Sequence, residues 1–272
     1  MTSLAKHHKG EFTKMLLIGD SGGGKTGALA SLAKAGYKLA IIDCDNGLDI
    51  LANLLASDKA ALERVYYKTV TEPMKAVGGA AIIEKAVAWR RAMDLLSRFK
   101  DGEEDLGVTS ELGPEWVVVI DSLTFLCQYA INDILQLNRR LNAQPWRSDW
   151  GLAQKLVRDF LGLLYSNAFK TNVIVNCHIT YIGREVESLD DQGKIVSREE
   201  DVKAYPRSLG RALSPDIGTF FNHALLAQSV GQKRKLFTNT QGLVQLKSAA
   251  PTKVKGQYDI ETGLAEYFKD VR

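Results

Sequence analysis

Cysteine is scarce in this chain, and the three present, Cys44, Cys127 and Cys177, stand far apart in apolar stretches. No pair has the close spacing of a metal motif, so the pattern predicts reduced core thiols in a cytoplasmic protein. Long apolar runs are missing too; none approaches the roughly 18 residues that a membrane helix requires. The opening MTSLAKHHKGEF is charged and has no apolar centre, which predicts no signal peptide. Internal repeats and low-complexity segments are absent. Acids are scarce in one region only. Over 202–257 there are nine Lys/Arg and a single acid, Asp216, a balance of +8 in a chain whose total is +3. The remainder therefore carries −5. A basic C-terminal third on an acidic body points to a polyanionic partner.

What is present is an ordinary globular composition: 272 residues, 45% apolar and 25% charged. Apolar runs at 14–18, 37–43, 65–70, 116–120 and 172–177 read as strands. Helical spacing marks 24–34, 48–56, most of 71–99, 123–141 and a segment with Leu152, Leu156, Phe160 and Leu163. The polar stretch 100–115 reads as a loop. Late strands are expected at 219–228, 235–240 and 243–246, and a last helix at 264–270. Strands alternating with helices predict an α/β fold, a mainly parallel central sheet flanked by helices with late antiparallel strands. The expected organisation is an N-terminal tail over 1–13 and one domain over 14–272, with a mobile loop or hairpin at 180–211.

The segment Gly19-Asp20-Ser21-Gly22-Gly23-Gly24-Lys25-Thr26, followed by Gly27, fits G-x-x-x-x-G-K-[ST] between a strand and a helix. Glycines let successive backbone N–H groups face phosphate oxygens, and the helix that follows adds its positive end. Lys25 is expected on the β/γ-phosphates of ATP and Thr26 on Mg²⁺. The strand WVVVIDS then offers Asp121 as the carboxylate for the metal. A second apolar strand ends in Asp43-Cys44-Asp45. A carboxylate there, on a strand expected beside the phosphate loop, can orient and deprotonate an attacking water, or it can cap the next helix.

At these residues the chain resembles the RecA family, whose pattern of apolar strand, Asp, small residue, acid and x-x-Leu-Asp it follows. The resemblance implies a RecA-like phosphate-loop core with Asp45 as catalytic base, where the family usually has Glu. It puts Asp49 against adenine and His178, at the end of NVIVNCHI, in the place of the residue that senses the γ-phosphate. It puts Lys247 near the position of a lysine that completes a neighbouring subunit's ATP site. The motifs SDWG, NVIVNCHI and GRALSPDIGTFFNHALL resemble the phage-encoded RecA-like ATPases of the Sak annealing group. That resemblance implies a homo-oligomeric ring or filament on single-stranded DNA. It also implies annealing or recombination beside a single-strand binding protein, in the cytoplasm of a host cell.

The segment 180–211 stands where RecA-like proteins carry a DNA-binding loop. It holds six Lys/Arg and seven acids, but the acids end at Asp201. Lys203, Arg207 and Arg211 follow, and Tyr181 and Tyr205 can stack on bases. The expected DNA contacts are therefore the two ends of the loop, with an acidic tip at Glu187, Asp190 and Asp191 turned away. Lys233, Arg234 and Lys235 form a second basic cluster for DNA. Two other readings stay open, a phosphate-loop small-molecule kinase and a non-catalytic nucleotide-dependent scaffold.

Overall fold

β-Branched runs with no polar break, such as 117–120 and 173–175, favour strands covered on both faces. The computed structural model describes residues 11–189 and 195–272 and shows that arrangement. In chain order it contains β1 (Lys14–Ile18), α1 (Lys25–Lys34), β2 (Lys38–Asp43), α2 (Asp49–Leu55), α3 (Lys59–Leu62), β3 (Val65–Thr69), β4 (Met74–Val77) and β5 (Ala80–Ile83). There follow α4 (Ala88–Ser97), β6 (Arg98–Asp101), β7 (Glu104–Val108), β8 (Gly113–Asp121), α5 (Leu123–Leu137), α6 (Arg147–Tyr165) and β9 (Thr171–Cys177). The chain continues through β10 (Ile179–Leu189), β11 (Ile195–Pro206), α7 (Gly210–Ile217), β12 (His223–Val230), β13 (Lys233–Phe237), β14 (Gln257–Asp259) and α8 (Gly263–Val271).

Eight strands form the central sheet in the order β14-β13-β12-β1-β9-β8-β2-β3. The six from β12 to β3 are parallel, and β13 and β14 add antiparallel at one edge. Successive side chains of a strand point to opposite faces, so the sheet divides its apolar residues into two cores. Leu16, Ile42, Ile120 and Val175 pack with α4, α5, α6 and α7. Leu17, Ile41, Val119 and Ile174 pack with α1, α2 and α8. No helix among the described residues is long and apolar enough to cross a membrane.

Several expectations need correction. The segment 71–99 is helical only in α4. Before it, Gly78 and Gly79, at φ 57 and 83, make the two-residue turn of the β4–β5 hairpin. Two positive φ values are what a type I′ turn demands, so this pair ends strands rather than weakening a helix. The stretch 100–115 forms the β6–β7 hairpin and the start of β8 instead of a loop. The helix expected to 141 stops at Leu137, and Arg139 turns left-handed at φ 56. β12 begins only at His223, after a short 3₁₀ turn (Gly218–Phe220). The 243–246 segment forms no strand; Val244 makes single bridges to Ala204 and Gln241. β2 is not beside β1, because β9 and β8 lie between them. Within the 180–211 segment, β10 and β11 pair antiparallel from Ile179 to Pro206, while Gly210 and Arg211 belong to α7. Asp190 and Asp191 of the segment's acidic tip, and the tail before residue 11, lie outside the described residues.

One buried polar residue gives the fold a pH dependence. Lys14 on β1 is 7% exposed, and its Nζ donates to the carbonyls of Phe169 at 2.6 Å and Thr171 at 2.8 Å. Burial lowers its pKa from 10.5 to about 7. A neutral amine still has two N–H donors for these two acceptors. The unfolded chain holds the proton up to about 10.5, so above about pH 7 the unfolded state binds more protons than the folded one. Stability therefore rises with pH, by up to ~1.4 kcal/mol per unit from this group. Denaturant unfolding at pH 7 and pH 9 should show that rise in wild type and a flatter one in Lys14→Met. Equal slopes in the two proteins refute it.

Candidate functional site

The carboxyl ends of the parallel strands converge on one region, where open α/β sheets bind ligands. β1 ends at Ile18, opposite Cys177 of β9, and β2 ends at Asp43, opposite Asp121 of β8. The phosphate loop leaves β1 and enters α1 through Gly24 at φ 101, a left-handed value that favours glycine. A Cβ on Gly23 would lie 2.6 Å from the carbonyl oxygen of Ala227, so the β12 backbone closes the loop from behind.

Lys25 is 6% exposed and donates from Nζ to the carbonyls of Gly19 at 2.8 Å and Asp20 at 3.0 Å. Burial pulls its pKa down, and the charge of Asp121 opposes that. Thr26 Oγ1 donates to Asp121 Oδ2 at 2.7 Å. Burial raises the Asp121 pKa, and the Thr26 bond counters it. A hydroxyl and a carboxylate in contact are the hard oxygen donors Mg²⁺ takes. Two protein donors suit an ion that keeps its water and phosphate ligands. Among the described residues no group of three or more His, Cys, Asp or Glu converges as a metal cage.

A cavity of about 390 Å³ opens over the loop, and Lys25, Thr26, Asp45, Asp121 and His178 all line it. Asp45 follows β2 and its Oδ1 is buried with no hydrogen-bond partner. Burial lifts its pKa to about 7, helped by the charges of Asp121 and Asp43 and by contact with the Asp43 carboxyl, to which a protonated Asp45 can donate. Asp43 itself is bonded, accepting from Thr69 Oγ1 at 2.9 Å and the Gly47 N–H at 3.3 Å. His178 immediately follows β9, with its backbone N–H on Thr124 Oγ1 at 3.1 Å. Burial and then the Lys25 and Arg207 charges lower its pKa, so the ring is neutral near pH 7.

Other expected residues lie elsewhere. Asp49 is exposed at the start of α2 and does not line the cavity; Ile50 and Leu54 of that helix do. Lys247 bridges to Ala224 and lines a separate cavity with Lys203 and Tyr205, at the base of the β10–β11 hairpin. Arg207 is exposed, and its backbone N–H donates to the His178 carbonyl at 2.7 Å. Arg211 is exposed on α7. The 233–235 cluster is split, because consecutive strand residues face opposite ways. Arg234 lines the cavity over the phosphate loop. Ile260 and Glu261 also line it, and sequence reading missed both. More than two hundred residues separate them from the loop, and no local pattern marks them.

Fold and site together define a phosphate-loop ATPase. The AAA domain family matches residues 11–198, and the chain belongs to that family. No curated protein matches it. Among solved structures, it is similar to the RadB recombinase, at 16% identity and a TM-score of 0.40, over 85% of this chain and 81% of that one. It is also similar to a prototypical ATPase from the type III secretion system of pathogenic bacteria. There the identity is 12% and the TM-score 0.43, over 79% of this chain and 51% of that one.

Asp121→Asn keeps the shape of the Thr26 contact but removes the charge. Turnover at limiting Mg²⁺ should fall far more than nucleotide affinity measured by titration. Unchanged Mg²⁺ dependence would take Asp121 out of the site.

Proposed function

We propose that this chain is a RecA-like, Mg²⁺-dependent ATPase that works on single-stranded DNA in annealing or recombination of the phage type. The observation that carries the hydrolytic part is that Asp45, whose pKa burial raises to about 7, lines one cavity with Lys25, Thr26 and Asp121. In this reading Lys25 and the loop amides hold the phosphates, and Thr26 and Asp121 hold Mg²⁺, which neutralises developing phosphate charge when bound. Asp45 takes the proton from the water. Neutral His178 donates one hydrogen bond toward the γ-phosphate end.

A base must be ionised to act, and Asp45 ionises around pH 7. Phosphate release should therefore rise with pH through about 7 and level off above it. Asp45→Asn should bind ATP normally, lose about 10²–10⁴-fold in rate and lose that rise. Hydrolysis within a few-fold of wild type with the pH profile intact would make Asp45 a cap.

The nucleic-acid part rests on the basic base of the β10–β11 hairpin and on the resemblance to annealing proteins. Lys203, Arg207 and Arg211 are exposed there and follow the last acid of the segment. The same reading makes the protein a homo-oligomer that meets a single-strand binding protein in the host cytoplasm. Replacing the three residues by Ala should weaken single-stranded DNA of every sequence alike. It should reduce the log–log salt slope by about 0.7 per lost contact, and basal phosphate release should stay near wild type. Unchanged affinity and slope would remove DNA from this surface.

A further inference from the structure

Arg234 stands on β13, 212 residues from the phosphate loop in sequence, yet its Nε donates to the Gly22 carbonyl at 3.1 Å. Its side chain crosses Gly24 so closely that a Cβ there would lie 2.9 Å from the Arg234 Cδ. The root of the arm is fixed. Leu236, on the same face of the strand, is fully buried in the core under α1 and α8. The Arg234 carbonyl accepts from the Ile260 N–H at 3.2 Å, and Arg234 pairs with Ser229 of β12. The head is exposed, and among the described residues it has no carboxylate partner, although Glu261 lines the same cavity. Nε is engaged, and the terminal nitrogens make no hydrogen bond to the described residues.

A guanidinium resting on one neutral carbonyl is weakly satisfied. Its fork of N–H groups bonds anionic phosphate oxygens more strongly and in pairs. We propose that Arg234 binds the nucleotide in the chain's own phosphate site, turning its terminal N–H groups onto the phosphate oxygens of a bound nucleoside triphosphate. This rests on the nucleotide reading above. It moves Arg234 from the DNA-contact set to the nucleotide, while Lys233 and Lys235 face the other side of the sheet. It also gives β13 a direct hold on the ligand, beside the β12 backbone that closes the loop.

The test is a set of binding titrations on the full chain with ATP, ADP and adenosine, and with single-stranded DNA. Wild type is compared with Arg234→Ala, Arg234→Lys and Lys25→Ala. Arg234→Ala should weaken ATP by about tenfold or more, as for loss of a charge-assisted contact. It should leave adenosine and DNA affinity and the thermal midpoint unchanged. Arg234→Lys, which keeps the charge without the fork, should fall between. ATP affinity equal to wild type or tighter overturns the inference. Equal losses for ATP and adenosine overturn it as a structural effect, and loss of DNA binding alone returns Arg234 to the basic cluster. If Lys25→Ala binds ATP as wild type does, the site reading fails and takes this inference with it. If Lys25→Ala loses ATP while Arg234→Ala does not, the inference alone fails.

Discussion

The hydrogen bond from Thr26 to Asp121 joins residues 95 apart in the chain, and the rest of the site depends on it. β9 lies between β1 and β8, so the ends of those two strands stand two strand spacings apart, about 9.5 Å. The gap leaves room for a ligand, and something must cross it. The phosphate loop turns out from β1, and α1 packs on the core that contains Ile174 of β9. That path brings Thr26 back to the end of β8. Strand order alone thus sets the loop, the Thr26–Asp121 pair and His178, just after β9, around one opening.

The same geometry brings three carboxylates together, with Asp43 and Asp121 acting on Asp45, and sets Asp45 and Asp121 near the buried cation Lys25. The fold sorts them by what each one accepts. Asp43 takes bonds from Thr69 and Gly47, and Asp121 takes one from Thr26. Asp45 keeps an oxygen with none, and burial first, then the charges of the two neighbouring acids, raise its proton affinity. Division of labour among chemically identical groups follows from their bonding and burial.

Much of this was readable in advance where the signal is local. The loop glycines, the runs that became β1, β2, β8 and β9, and the acid at the end of β8 each stand out in a short window. Reading failed where the outcome depends on pairing. Gly78-Gly79 weakens a helix or turns a hairpin according to what its flanks find to bond with, and here they found each other. The order β1-β9-β8-β2 cannot be read from the order of strands in the chain. Asp49 has the right spacing for a ligand contact, yet its helix turns Ile50 and Leu54 to the cavity. Three consecutive basic residues look like one patch until β13 sends Arg234 to one face and its neighbours to the other.

The placement of the thiols has a consequence for how breathing of the site can be observed. Cys44 and Cys177 immediately precede Asp45 and His178, and both are fully buried with burial pushing their pKa upward. A thiol in that condition is inert to alkylating reagents until the surrounding structure opens. The protein therefore carries two silent chemical clocks, one behind each of two residues that line the cavity over the phosphate loop. Cys127, buried along α5 in the same core, is a third clock away from the cavity mouth. The order in which the three acquire a label is the order in which the strand ends and the helix behind them come apart.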